Sequence, residues 1–315
     1  MTSRIEYAAE QPPSFLARWG SRLAFFSALL LVAALFLHRI FGLPTPYALN
    51  LAGTAFAGAA LAVVMAAVAG LDIWVTGRQG TARVVIAGGV AMALLAVPVA
   101  TWIISRDWPA ITDVTTDTAN PPAFVELVGA RPAGANPLAY RQDDFAALQT
   151  SGYPDLKTLA VPRSVEDTYE VVLQALSKLK LKPVAQTPPA EAADGAGSVE
   201  LSDRTLILGF RDDVAIRVGG DDTSSKVDVR SSSRYGRHDF GRNAERVRMI
   251  LKEIVGRLEA TVPTVGRRAP AVNANKAAKK PVLKRPRADS RTTAGQRPKA
   301  GASRPAIRRA PEQSE

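Results

Sequence analysis

The sequence predicts an α+β protein on a membrane stem: three N-terminal transmembrane helices, then an antiparallel sheet with two helices on one face. Three observations predict it. Three long uncharged runs occupy the first third of the chain, two later segments carry apolar residues at helical spacing, and the runs between those segments alternate apolar with polar residues. The chain therefore divides into a membrane region (1–106), a soluble domain (107–263) and a basic tail (264–315).

The uncharged runs cover residues 23–37, 48–71 and 84–104. The second and third have the ~20 residues that a bilayer-spanning helix needs. The first is shorter, but His38 and Arg39 at its end can reach the headgroup layer. A signal peptide is the alternative for this run, and the two prolines and weak cleavage pattern after it argue against that. All four tryptophans, Trp19, Trp74, Trp102 and Trp108, fall at or just beyond the ends of the runs, where indoles favour the interface. Gly58, Ala62, Ala66 and Gly70 form a small-residue stripe that fits close packing within the bundle, with self-association as the other reading. No span holds a charge at mid-depth, which argues against a channel or transporter.

Orientation follows from arginines in short flanking segments. Arg4, Arg18, Arg22, Arg78 and Arg83 lie on one side, Arg39 and Arg106 on the other. Five against two predicts a cytoplasmic N-terminus, with everything after residue 104 outside.

In the soluble domain, residues 107–163 are rich in Pro, Gly and Asn and read as an extended wrap. Ser164 can cap a helix with Val165, Tyr169, Val172, Leu176 and Leu179 on one face. Strands are expected at 184–187, 199–204, 206–210, 214–218 and 226–234. Asp239 can cap a last helix with Phe240, Ala244, Val247, Leu251, Ile254 and Leu258 facing inward. The core would hold Val199, Leu201, Leu208, Phe210, Val214, Ile216, Val218, Val227 and Val229. The other sheet face would carry Glu200, Ser202, Arg204, Arg217, Asp228, Arg230, Ser232 and Arg234, either solvated or as a docking surface.

The segment from Val227 to Arg248, VDVRSSSRYGRHDFGRNAERVR, reads as a strand turning into a helix. Gly236 and Gly241 relieve the backbone at the turn and Asp239 caps the helix. Arg230, Arg234, Arg237 and Arg246, with Asn243, then gather near a helix N-terminus, which favours anions. They are the candidate anion or partner site. The competing reading is that Arg230 and Arg234 pair with Asp228, Asp239 and Glu245 and pin the corner.

This segment resembles the signature of an uncharacterised envelope family, domain of unknown function 1499, found in bacteria and plastids. The matching positions are Asp228, Arg230, Ser231, Ser233, Arg234, Gly236, Asp239, Gly241, Asn243 and Arg246. The stretches ITDVTTDTANPPAF (111–124) and Tyr153-Pro-Asp are also similar. The resemblance implies a placement in the envelope, here a bacterial inner membrane, and no reaction. The helix–strands–helix order is also similar to helix-grip modules.

Chemistry is sparse. There are no cysteines and two histidines, and no nucleophile elbow, phosphate loop or zinc spacing. No cofactor or metal is expected. The acidic pairs Asp212-Asp213 and Asp221-Asp222 are read as hairpin turns. Residues 264–315 hold fourteen Lys/Arg and three Asp/Glu, a net of +11, which is the whole formal charge of the chain. With six prolines and few apolar residues this tail should be disordered. Outside the cytoplasm it would meet anionic lipid or wall polymer; inside, it would resemble a nucleic-acid-binding arm.

The function expected is a non-enzymatic envelope protein, a binding or scaffolding module facing the periplasm, whose partner is membrane lipid, with another envelope protein as a further candidate. The alternatives are a cytoplasm-facing tether with a nucleic-acid-binding tail, and an envelope enzyme.

Overall fold

The computed structural model describes residues 12–205 and 208–260. The basic tail and Arg4 lie outside the described residues.

Three helices come first: α1 (Phe15–Ile40), α2 (Thr45–Thr76) and α3 (Thr81–Ser105). Each is long and apolar enough to cross a membrane, the shortest spanning ~37 Å at 1.5 Å per residue. They extend the uncharged runs by several residues because polar end turns continue the helices, and Gly77 in the left-handed region stops α2. Their mutual contact is made by small residues: Ala24, Ala59, Ala62, Ala87 and Ala91 form one buried cluster. Gly58 of the predicted stripe sits against Ser27 of α1, and Gly70 lies beside Val84 of α3. The stripe is thus used inside the bundle. The Ser14 amide donates to the Gln79 carbonyl (3.1 Å), so the start of α1 and the α2–α3 turn share one end. Trp19 and Trp74 mark that end, Trp102 and Trp108 the other.

The soluble domain follows α3 with almost no linker. The Trp108 amide still donates to the Ser105 carbonyl (3.3 Å), and Ile111 is already fully buried in the domain core. Six strands make one open antiparallel sheet: β1 (Asp113–Thr115), β2 (Leu159–Val161), β3 (Pro183–Thr187), β4 (Gly197–Arg204), β5 (Arg211–Gly220) and β6 (Ser225–Ser233). Their order is β1-β6-β5-β4-β3, with β2 also pairing along β6. Helices α5 (Val165–Lys178) and α6 (Arg242–Ala260) cover one face; α4 (Gln142–Gly152) lies beside β1.

Both principal helices form as their caps and stripes predict. The Ser164 hydroxyl accepts from the Asp167 amide, and Val165, Tyr169, Val172 and Leu176 are buried. The Asp239 carboxylate accepts from the amides of Gly241 (2.9 Å) and Asn243 (3.1 Å), and Ala244, Val247, Ile250 and Ile254 are buried. Between them Val199, Leu201, Val214, Ile216, Val218, Val227 and Val229 fill one core. Cross-strand register places Leu201 opposite Val214 and Ile216 opposite Val229, which keeps this row on the helix side.

Several expectations are corrected. Of the strand expected at 206–210, residues 206–207 lie outside the described residues, and Leu208 to Phe210 belong to the β4–β5 turn, closed by the Thr205 amide on the Phe210 carbonyl (2.8 Å) and by Gly209 at φ +77°. Leu208 is exposed and Phe210 only partly buried, so neither joins the core. Phe240 takes a left-handed conformation before α6 rather than a place in it. The 107–163 wrap contains β1, α4 and β2, pairing with β6. Asp212 and Asp213 are buried within β5 and do not form a turn. Asp221 does, accepting from the Thr223 and Ser224 amides.

The polar sheet face is not a solvated one. Residues 116–140 fold over it, and Phe124 and Leu127 pack on Ala215. Glu200, Asp228, Arg230, Ser232 and Arg234 are all buried beneath or beside that cover.

Candidate functional site

The arginine corner is built where β6 leaves the sheet and enters α6. Period-2 alternation sends Arg230 to the covered face and Ser231 to the helix face, while the cap at Asp239 starts α6 so that Asn243 and Arg246 point back at the strand end.

Each guanidinium meets a carboxylate there. Arg230 forks onto Asp113 of β1 (Nε–Oδ1 3.0 Å, Nη2–Oδ2 2.7 Å) and donates to the Pro122 and Leu138 carbonyls. Arg234 forks onto Asp213 (3.0 and 2.8 Å) and donates to the Ala130 carbonyl. Arg246 bridges Asp203 (3.0 Å) and Asp212 (2.9 Å) and reaches Ser231 and Asn243. Asn243, fully buried, donates to the Thr112 carbonyl (2.9 Å) and Ser233 hydroxyl (3.0 Å), and its oxygen accepts from the Ser231 hydroxyl (2.8 Å). Paired guanidiniums and a saturated amide satisfy the condition under which buried charge is tolerated. The geometry therefore ties β1, β4, β5, β6 and α6 into one knot.

The pinning partners differ from those expected. Asp228 accepts from Arg217 (2.9 Å) and from the hydroxyls of Thr116 (2.9 Å) and Thr158 (2.5 Å). Asp239 is the helix cap, and Glu245 pairs on the surface with Arg242. Asp113, Asp203, Asp212 and Asp213 take the arginines instead. Only long-range strand pairing brings Asp113 beside Ser232 of β6, so local sequence carries no signal for it. Arg237 is exposed on the turn and is not drawn into the knot. Gly236 and Gly241 adopt φ of +101° and +74°, and the Trp108 ring stands where a Cβ at Gly241 would be.

Electrostatics follow burial. Burial pushes the Asp113 carboxyl above its ordinary value, with the Arg230 hydrogen bonds pulling the other way. Asp239 is raised for the same reason, opposed by the Gly241 and Asn243 amides. Among the described residues no group of three or more His, Asp or Glu could hold a metal ion.

Glu200 has a comparable structural role. Its carboxylate accepts from the amides of Val125 (2.6 Å), Glu126 (3.1 Å) and Leu127 (2.9 Å), holding the single 3-10 turn of the cover to β4.

Sequence reading missed a second cluster, at the membrane end of the domain. There the β4–β5 turn abuts the α1–α2 turn: Arg204 donates towards the His38 carbonyl (3.5 Å), and the His38 and Phe210 rings lie 5.6 Å apart. Arg204 and Arg211 stand opposite each other in register. The signal was the pair of arginines flanking a short apolar run, RTLILGFR, which reads equally well as a strand.

A family model described as protein of unknown function (DUF1499) matches residues 113–254. No curated protein and no solved structure matches the chain. The match begins at β1 and ends within α6, enclosing the whole arginine knot, and the soluble domain of this chain belongs to the DUF1499 family.

Proposed function

We propose that this is a membrane-anchored, non-enzymatic binding or scaffolding module of the bacterial envelope, its domain resting on the periplasmic face of the cytoplasmic membrane. The observation that carries the reading is the seating of the domain. Trp108 supports Gly241 at the start of α6 three residues after α3 ends, and the β4–β5 turn contacts the end of α1. A domain attached so closely works at the membrane surface and does not reach far from it. The five-to-two arginine distribution supports the periplasmic side. A non-enzymatic role is supported by the knot, whose carboxylates and guanidiniums are engaged with one another. Ligands in this reading are anionic lipid, wall polymer or an envelope protein.

An export-dependent phosphatase inserted at Gly195, on an exposed loop between β3 and β4, tests the orientation. Activity in intact cells is expected. An inactive fusion whose cytoplasm-dependent counterpart at the same position is active would reverse it.

A further inference from the structure

The junction between the α1–α2 turn and the domain forms a half-open cavity of about 410 Å³, within the range of small-ligand sites. Its wall on the membrane side is the turn from His38 to Thr45; the domain contributes Arg131, Arg204, Arg211, Arg234 and Tyr235. Four guanidiniums line it and no carboxylate does.

Their charge is incompletely balanced. Arg131 and Arg234 share one carboxylate, Asp213, at 2.8 Å each. Arg204 and Arg211 form no ion pair with a carboxylate among the described residues, and the Arg204 guanidinium donates to the carbonyls of Gly209 and His38. Like charges directly opposite on paired strands repel, and burial, Arg211 and Arg39 together depress the Arg204 pKa.

A second observation points the same way. Two buried polar atoms of cavity-lining residues have no hydrogen-bond partner: His38 Nε2 and the Tyr235 hydroxyl. The other His38 ring nitrogen lies 2.6 Å from the Leu43 carbonyl, which fixes it as the donor and leaves Nε2 an acceptor, suited to a headgroup hydroxyl and not to a phosphate oxygen. His38 is 6% exposed. A phosphate would offer acceptors to Arg204, Arg211 and Tyr235 at once.

We propose that this cavity takes the phosphate of an anionic membrane-lipid headgroup, with Arg204 and Arg211 as the cationic contacts and Tyr235 as an added donor. Lipid is favoured over free phosphate by what lies alongside. Phe36, Ile40, Phe41 and Tyr47, at the same end of α1 and α2, are all more than half exposed and offer an apolar path for acyl chains. Trp102 and Trp108 place this end at the interfacial layer. The hollow beside β2 and the β5–β6 turn differs, since its Arg217 is paired with Asp117 and Asp228. The inference needs the helices in a bilayer but neither face in particular, so its failure and a reversed topology are separate results.

The test is native mass spectrometry of the full chain in detergent, titrated with phosphatidylglycerol, phosphatidylcholine or inorganic phosphate. One phosphatidylglycerol should bind at least tenfold more tightly than phosphatidylcholine. Arg204→Gln with Arg211→Gln should remove that preference, while Lys178→Gln with Arg257→Gln, the same charge change towards the opposite end of α6, leaves it intact. Tyr235→Phe, which keeps every charge, should weaken binding severalfold and serves if the double variant does not fold. Equal binding of the two lipids, or an unchanged preference in these variants, overturns the proposal. Phosphate displacing the lipid at equal concentration overturns the lipid assignment.

Discussion

The Arg230 guanidinium and the Asp113 carboxylate meet fork to fork across the β1–β6 ladder, at 3.0 and 2.7 Å, with both side chains about 4% exposed. One partner comes from the last strand and the other from the first, so the pair closes the sheet edge. Removing either alone strands a buried charge, which costs about 3–5 kcal/mol. Arg230→Met and Asp113→Leu should each destabilise by that order in denaturant unfolding, and the double variant by less than the sum. Additive losses would mean that the two side chains do not act as a pair.

Asp213 holds two arginines at once, Arg131 and Arg234. Asp213→Asn leaves two buried guanidiniums without their counter-charge, whereas Arg131→Met leaves a complete pair behind. The Asp213 variant should therefore lose more stability, again about 3–5 kcal/mol. Equal losses would remove the shared-carboxylate reading.

Gly241 combines φ +74° with the Trp108 ring lying where a Cβ would stand. Strain alone costs about 1–3 kcal/mol, and the ring adds overlap. Gly241→Ala should lower the unfolding midpoint clearly. Gly129→Ala, at φ −70° with open space around it, should not.

Much of this fold can be read in the sequence, but unevenly. The α5 and α6 stripes, their caps at Ser164 and Asp239, and the alternation of β4 to β6 are local signals and appear where they are expected. β1 and β2 are three-residue strands in a Pro- and Gly-rich stretch, and only their pairing with β6 defines them. α4 buries only Phe145 and Gln149, too few for a stripe. Gln149 instead pairs its amide with the Thr115 backbone at 3.0 and 2.6 Å, in place of a further strand. The motif arginines are legible as a cluster, and their partners are not, because Asp113 lies 117 residues before Arg230. The covered face is hidden for a similar reason: alternation shows that a face is polar and says nothing about what lies over it.

Tyr153 is buried with no partner for its hydroxyl, and burial, then Asp239, push its pKa up to about 12. A raised tyrosine pKa means the fold prefers the neutral phenol. That stability is complete below the unfolded value near 10 and is lost as pH rises through about 12. Tyr153→Phe should unfold at a less alkaline-sensitive midpoint and gain up to ~1 kcal/mol at neutral pH by removing an unsatisfied hydroxyl. A destabilised variant would show that the hydroxyl has a partner.

The claim on which the rest depends is that the arginine knot holds the domain together and is not a surface for ligands. Thermal unfolding of the full chain carrying Arg230→Ala, Arg234→Ala and Arg246→Ala tests it most directly. Loss of the cooperative transition of the soluble domain is predicted. A parent-like transition accompanied by lost anion or partner binding would contradict it and return those arginines to a binding site.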